Sequence, residues 1–95
     1  RYAEFAHILE PLGLKPIGVS LSPREAWQLE LDNGMVIVLG RDHDKAKVEE
    51  RLQRWVEVWP MTQERIGMQI AVVDLRYQGG FALTPEAQRQ AGKGE

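Results

Sequence analysis

Residues 73–83 read VDLRYQGGFAL, and this stretch decides how the end of the chain folds. A strand-like run passes into the pair Arg76-Tyr77, which is followed by the turn-forming residues Gln78-Gly79-Gly80. A last short strand is then predicted over Phe81 to Thr84. The alternation of the long run places Asp74 and Arg76 on one face of its strand and Leu75 and Tyr77 on the other.

The sequence behind this stretch predicts where the final strand lies. Pro85 ends the strand, because proline has no N–H to donate to a sheet. Residues 85–95 hold almost no apolar bulk and are predicted to be a disordered tail, which leaves residues 1–84 as the folded domain. A strand placed last is expected at the sheet edge, where a partner strand can pair with its open backbone groups.

Composition excludes several classes of protein. The chain has 95 residues, 43% of them hydrophobic and 27% charged, which is typical of one soluble domain with a modest core. A net charge of -2 lacks the basic surplus of a general nucleic-acid binder. The absence of cysteine excludes disulfides, thiolate metal sites and a cysteine nucleophile. No apolar run reaches the roughly 18–20 residues that cross a bilayer.

Hydrophobic spacing predicts, in order, a helix, three strands, a second helix and two strands. The first helix should end near Pro11, Asn33-Gly34 predicts a hairpin, and Pro60 is expected to stop the second helix. This order indicates an α+β domain with an antiparallel or mixed curved β-sheet, two helices and the last strand at the sheet edge. The predicted elements cover residues 2–10, 15–22, 27–31, 35–39, 48–59, 68–77 and 81–84.

The second predicted helix has an apolar stripe and a wet side. Its stripe includes Trp55 and Trp59, and these two tryptophans are expected in the core together with Trp27. Arg51 and Arg54 fall on the wet side, beside Glu49 and Glu50.

Three signatures in the chain, taken in order, resemble a known family. They are EAWQLELDNG over residues 25–34; VLGR over 38–41 with RLQRW over 51–55 and Trp59-Pro60; and VDLRY over 73–77 with Gly80-Phe81-Ala82. Together they resemble the C-terminal β domain of the FtsQ/DivIB family of bacterial cell-division proteins. The resemblance covers Tyr2 to Leu83, nearly the whole predicted fold.

The resemblance implies a role that composition does not show. It implies a non-enzymatic scaffold without a cofactor, which binds FtsB, of the FtsB–FtsL pair, by strand addition at the last strand. Members of the family are single-span inner-membrane proteins of the division septum, with a POTRA domain and then this β domain in the periplasm. The chain is accordingly expected to be an excised domain whose membrane span and POTRA domain lie upstream.

The resemblance also implies which residues bind the partner. Arg76 offers a fork of donors that can hold a partner carboxylate, or it forms an ion pair with Asp74, and the two coexist if Asp74 only orients Arg76. Tyr77 combines apolar area with a hydroxyl, although packing on Phe81 would explain it equally. The full set is Arg24, Arg76, Tyr77, Gly79, Gly80, Phe81, Ala82 and Leu83.

Two other functions remain open from the residues alone. A small metal-binding or hydrolase domain would be centred on the Asp42-His43-Asp44 cluster, although a helix cap explains these aspartates more simply. A module that binds peptidoglycan is the other alternative, and no aromatic sugar platform can be placed for it.

Overall fold

The helices and strands of this computed structural model follow the predicted order. The structure describes residues 2–41, 47–77 and 80–87. Within them the elements are α1 (Tyr2–Leu9), β1 (Pro16–Leu21), β2 (Ala26–Leu31), β3 (Val36–Arg41), α2 (Val48–Ile66), β4 (Ile70–Asp74) and β5 (Ala82–Pro85). A short 3-10 turn over Glu10–Leu12 closes α1 before Gly13, which adopts a left-handed conformation with φ of 69°. The predicted α+β fold with two helices is confirmed.

The strands form one open, mixed sheet in the order β1-β2-β3-β4-β5. β1 pairs with β2, β2 with β3 and β4 with β5 in antiparallel fashion, whereas β3 and β4 are parallel. Parallel neighbours need a crossover connection, and α2 supplies it. The last strand therefore lies at one edge of the sheet, as predicted, and β1 lies at the other.

The core lies between the sheet and the two helices. Helix α1 contributes Phe5 and Leu9, and the stripe of α2 is buried along its whole predicted length. Trp55 and Trp59 are buried, with ring centroids 5.1 Å apart. Trp27 is half-buried and meets Phe5 edge to face at 6.0 Å. The predicted core role is confirmed for Trp55 and Trp59, whereas Trp27 is partly buried and packs against the core.

Helix α2 continues beyond Pro60, so the prediction that this proline stops the helix is wrong. Proline removes one backbone donor, but its fixed φ suits a helix and the side chain of Pro60 is exposed. The turns on both sides are held by packing, because Trp59 is buried and Ile66 packs against the core. The helix ends instead at Gly67, which adopts φ of 65° and donates its N–H to the Gln63 carbonyl at 3.0 Å.

Smaller differences occur at the ends of elements. The N-cap residue of α2 is Lys47, not an aspartate. Strand β4 is shorter than predicted, and β5 runs to Pro85. The Glu86 N–H also donates to the Gln69 carbonyl at 2.9 Å, so backbone pairing continues past Thr84. The predicted tail beyond residue 87 lies outside the described residues and stays a prediction.

Candidate partner-binding site

Asp74 and Arg76 form a tight ion pair where β4 ends. Arg76 Nη2 lies 2.6 Å from Asp74 Oδ2, and Arg76 Nε lies 2.9 Å from Oδ1 and 3.1 Å from Oδ2. The backbone N–H of Arg76 also donates to Asp74 Oδ1 at 3.0 Å. The intramolecular alternative for Arg76 is therefore realised. Arg76 nevertheless keeps 59% of its side chain exposed, whereas Asp74 keeps 16%.

This contact shifts the pKa of both groups toward the charged forms. The hydrogen bonds from the Arg76 side chain lower the pKa of the Asp74 carboxyl below its usual 3.8, against a smaller opposing effect of burial. The same side-chain hydrogen bond raises the pKa of Arg76. Both groups are therefore charged across the physiological pH range.

The pair is expected to give the domain a distinct pH dependence. Folding lowers the pKa of Asp74, so the pair stabilises the native state above pH 3.8 and this contribution is lost as the pH falls below that value. Asp74→Asn should lower the free energy of unfolding by about 1 kcal/mol at about pH 7, since Arg76 is exposed, and by much less at about pH 2. Urea unfolding of both proteins at the two pH values measures this. A difference that is unchanged at low pH would contradict it.

The guanidinium of Arg76 keeps one edge available. Asp74 occupies the edge formed by Nε and Nη2. On the outer edge, Nη1 and the second N–H of Nη2 carry no hydrogen bond to any part of the chain that the structure describes. A second acceptor can therefore approach Arg76 end-on without displacing Asp74.

A small pocket opens between α2 and the segment that joins β4 to β5, and Leu75 and Tyr77, the chain neighbours of Arg76, are among the residues that line it. Its volume is about 170 Å³. Trp55 and Leu75, which are buried, lie at its base, and Tyr77 is an exposed wall with 59% of its surface accessible. The pocket thus combines an apolar base with arginines. Its lining is Arg51, Arg54, Trp55, Val58, Leu75, Tyr77, Gly80 and Phe81.

The free edge of β5 follows from the direction of the backbone groups. The Leu75 N–H donates to the Val38 carbonyl of β3. Backbone groups of successive strand residues point in opposite directions, so those of Val73 also point toward β3. The backbone groups of Val72 and Asp74 therefore point toward β5. Val72 faces Thr84, and Asp74 faces Ala82. The N–H and C=O of Leu83 therefore point away from the sheet. Pro85 shares this orientation but has no N–H, so it limits the open edge at one end.

The structure brings most of the predicted site residues together. Tyr77, Gly80 and Phe81 line the pocket, while Ala82 and Leu83 continue from it along β5. Leu83 and Phe81 are half-buried and pack against the core, so their backbones are held in place. Gly79 lies outside the described residues. Whether these residues bind a partner stays a prediction.

Arg24 is the predicted site residue that stands apart. It lies in the turn between β1 and β2, where its backbone N–H donates to Ser22 Oγ at 3.3 Å. β3 lies between β2 and β4, and the structure shows no contact between Arg24 and Arg76. Because Ala26 pairs with Arg41 near the end of β3, Arg24 is nevertheless at the same end of the sheet as Arg76.

Sequence reasoning missed the part that Arg51 plays. The helical pattern put it on the wet side of α2, but its side chain is half-buried and Nη1 donates to the carbonyls of Leu39 and Arg41 at 2.6 and 2.8 Å. A helical wheel gives only the direction of a side chain, and no local signal shows that two carbonyls of β3 lie within its reach. Arg54 and Trp55 were likewise not predicted to line the site.

The alternative site falls outside what can be described. Asp42, His43 and Asp44 lie in the gap between residues 41 and 47. Among residues 2–41, 47–77 and 80–87, no group of three or more His, Asp or Glu side chains could hold a metal ion. In the same ranges, neither helix has both the length and the apolar character that crossing a membrane requires.

Comparison with known proteins agrees with the resemblance seen in the sequence. The family model described as "Cell division protein FtsQ/DivIB, C-terminal" matches residues 1–76. The chain is 42% identical to "Cell division protein FtsQ" of Burkholderia pseudomallei (strain K96243) over 89 residues, which cover 94% of this chain and 36% of that protein. It is 40% identical over 82 residues to the protein with the same description from Nitrosospira multiformis, with 86% and 33% covered.

The extent of these matches defines what they show. The chain spans about one third of the length of the relatives it matches. The match to the family model ends at Arg76, so β5 lies beyond the matched residues, although most of the chain is matched. On this basis the chain belongs to the FtsQ/DivIB family of cell division proteins and corresponds to its C-terminal domain.

Proposed function

We propose that the domain is a non-enzymatic scaffold of the divisome that binds FtsB, of the FtsB–FtsL pair, by adding a strand of FtsB to β5. The observation that carries this proposal is the backbone of Leu83, which points outward from an edge strand and pairs with nothing in residues 2–41, 47–77 and 80–87; this strand follows Tyr77 and the pocket. Backbone pairing of this kind gives affinity, and the adjacent side chains select the sequence that binds. It needs no catalytic group.

The chemistry of the site favours a partner segment that is both acidic and apolar. Arg54 is exposed and has no partner among the described residues, and the outer edge of Arg76 is open. The pocket beside them has an apolar base, which suits an aromatic or aliphatic side chain. A carboxylate near such a side chain would meet the arginines while the strand pairs with β5.

Family membership supports the proposed place of this interaction. The full-length protein would be anchored in the inner membrane by a span upstream of this domain. The domain would then lie in the periplasm at the division septum. FtsL would reach the domain as the companion of FtsB.

A backbone substitution tests strand addition directly. Replacing the residue at 83 by the α-hydroxy acid counterpart of leucine exchanges its N–H for an ester oxygen and keeps the side chain. Because this N–H points away from the sheet, the domain should remain folded. Its affinity for the soluble periplasmic part of FtsB from the same bacterium, measured by calorimetry, should fall about five- to tenfold, as one lost hydrogen bond predicts.

The matched control is the same exchange at Thr84. The N–H of Thr84 points toward β4, so this ester should lower the melting temperature of the domain and change FtsB affinity less than the ester at Leu83. Unchanged affinity of the Leu83 ester would exclude strand addition along this edge. A native domain that does not bind the FtsB segment at all would overturn the choice of partner.

A further inference from the structure

Gly40 is the point at which Arg76 meets the rest of the sheet. It lies in β3 with φ of 82°, next to a register shift in the pairing with Trp27 and Gln28 of β2. A Cβ at position 40 would lie 2.8 Å from Arg76 Cγ and 3.4 Å from Arg76 Cδ. The aliphatic part of the Arg76 side chain therefore packs directly on the backbone of Gly40. It occupies space that the Cβ of any other residue at position 40 would take.

Arg51 contacts the backbone on either side of Gly40. Its Nη1 donates to the carbonyls of Leu39 and Arg41, which flank Gly40, at 2.6 and 2.8 Å. A Cβ on Gly40 would also lie 3.4 Å from this nitrogen. Arg51 thus ties helix α2 to the backbone on which Arg76 rests, and it satisfies two carbonyls near the end of β3.

Asp74 fixes the orientation of the Arg76 guanidinium. Its carboxylate accepts hydrogen bonds from Nε and Nη2 of Arg76 and from the Arg76 backbone N–H. One carboxylate therefore orients both the side chain and the backbone of Arg76. The guanidinium is therefore exposed to solvent and yet held in place. Arg76 is thus held by β3, through Gly40, and by β4, through Asp74, while α2 supports the backbone beside Gly40 through Arg51.

We infer that Gly40, Arg51 and Asp74 are positioning residues for partner binding, which hold Arg76 with its outer edge turned toward an incoming acceptor. This inference rests on the proposed function and assigns roles to three residues outside the predicted binding set. An arginine with free rotamers loses entropy when a partner immobilises it, whereas an arginine that is already held loses less. Positioning should therefore improve FtsB affinity about three- to tenfold.

Positioning and a simple charge effect predict opposite changes in FtsB affinity when Asp74 is replaced, and this makes the inference testable. Asp74→Asn removes a negative charge beside Arg76. If only charge mattered, an acidic partner would bind this variant more tightly. If Asp74 acts by positioning, the variant binds FtsB about three- to tenfold more weakly, and the loss disappears when Arg76 is already replaced by alanine.

The first measurement is made without any partner. Nitrogen-15 relaxation of the arginine Nε–H groups reports how mobile each guanidinium is. Arg76 should be as ordered as the backbone in the native domain, whereas Arg65, which is exposed and has no partner among the described residues, should be mobile. Asp74→Asn and Gly40→Ala should both release Arg76. An alanine at position 40 would also be strained by the positive φ there. If the Gly40→Ala variant does not fold, the relaxation data for Asp74→Asn alone test the inference.

The second measurement is the calorimetric titration with the soluble periplasmic part of FtsB. It compares the native domain, Asp74→Asn, Arg76→Ala and the double variant, with Glu30→Gln as a control of equal charge change. Glu30 is exposed on β2 and lies away from the site, so its variant should bind like the native domain.

The outcomes separate this inference from the proposed function. An Arg76 that is as mobile as Arg65 in the native domain overturns the positioning role whatever FtsB does. An ordered Arg76 with unchanged or tighter binding by Asp74→Asn also overturns it. Failure of the native domain to bind FtsB overturns the proposed function and the binding role of the held arginine, while the relaxation data still show whether Asp74 holds it.

Discussion

Replacing Tyr77 by alanine is expected to weaken the complex with FtsB by about 2 kcal/mol, or roughly thirtyfold. The Tyr77 side chain is a wall of the pocket beside the β5 edge, and it is the largest exposed apolar surface there. A partner that covers the pocket would bury this ring. Because 59% of the residue is exposed in the free domain, the variant should keep nearly all of its folding stability. Calorimetry gives the affinity, and a thermal melt gives the stability.

Tyr2 provides a matched control for this experiment. It is the other tyrosine of the chain, is similarly exposed at 55%, and lies on α1 outside the pocket lining. Tyr2→Ala should therefore leave FtsB affinity unchanged. Tyr77→Phe separates the ring from its hydroxyl. Native affinity in Tyr77→Ala, or an equal loss in Tyr2→Ala, would show that the pocket is not the contact surface.

Replacing Trp55 by alanine is expected to lower the free energy of unfolding by about 3–5 kcal/mol. Trp55 is 1% exposed, packs against Trp59, and forms part of the base of the pocket. Its removal leaves a cavity where α2 meets the sheet. A domain of this size is typically stable by only about 5–15 kcal/mol, so a large part of the total is lost. Urea unfolding followed by circular dichroism measures the difference.

Trp55→Phe is the informative companion to this variant. The indole N–H of Trp55 is buried and has no hydrogen-bond partner in the described part of the chain. Phenylalanine keeps most of the apolar volume and removes this unsatisfied donor, so its cost should be only about 1 kcal/mol. If Trp55→Phe were as destabilising as Trp55→Ala, volume would not be the reason that Trp55 matters. An unaltered midpoint in Trp55→Ala would contradict the packing argument altogether.

Local patterns in the sequence predicted the elements whose signals are complete within a few residues. The alternation of Leu29 and Leu31 marks the buried face of β2, and both are fully buried. Asn33-Gly34 makes the hairpin between β2 and β3, with the Gly34 N–H bonded to the Leu31 carbonyl at 2.9 Å. These predictions succeeded because side-chain period and turn geometry are local properties.

The prediction for Pro60 failed for a reason that is also physical. A proline disfavours a helix locally, and the neighbouring sequence does not show the tertiary packing that opposes this cost. Burial of Trp59 before it and packing of Ile66 after it keep α2 continuous. Tertiary contacts often override local propensity in this way.

The amino-acid sequence by itself determined the fold class, the position of the last strand at the sheet edge, the apolar stripe of α2 and the family. Only the tertiary structure showed that Arg76 pairs with Asp74, because a strand pattern brings Asp74 near it without showing which contact forms. It also placed Arg76 on Gly40, and Arg51 on the carbonyls beside Gly40. These contacts join β3, α2 and β4 over long distances in the chain, and no periodicity within a single element encodes them.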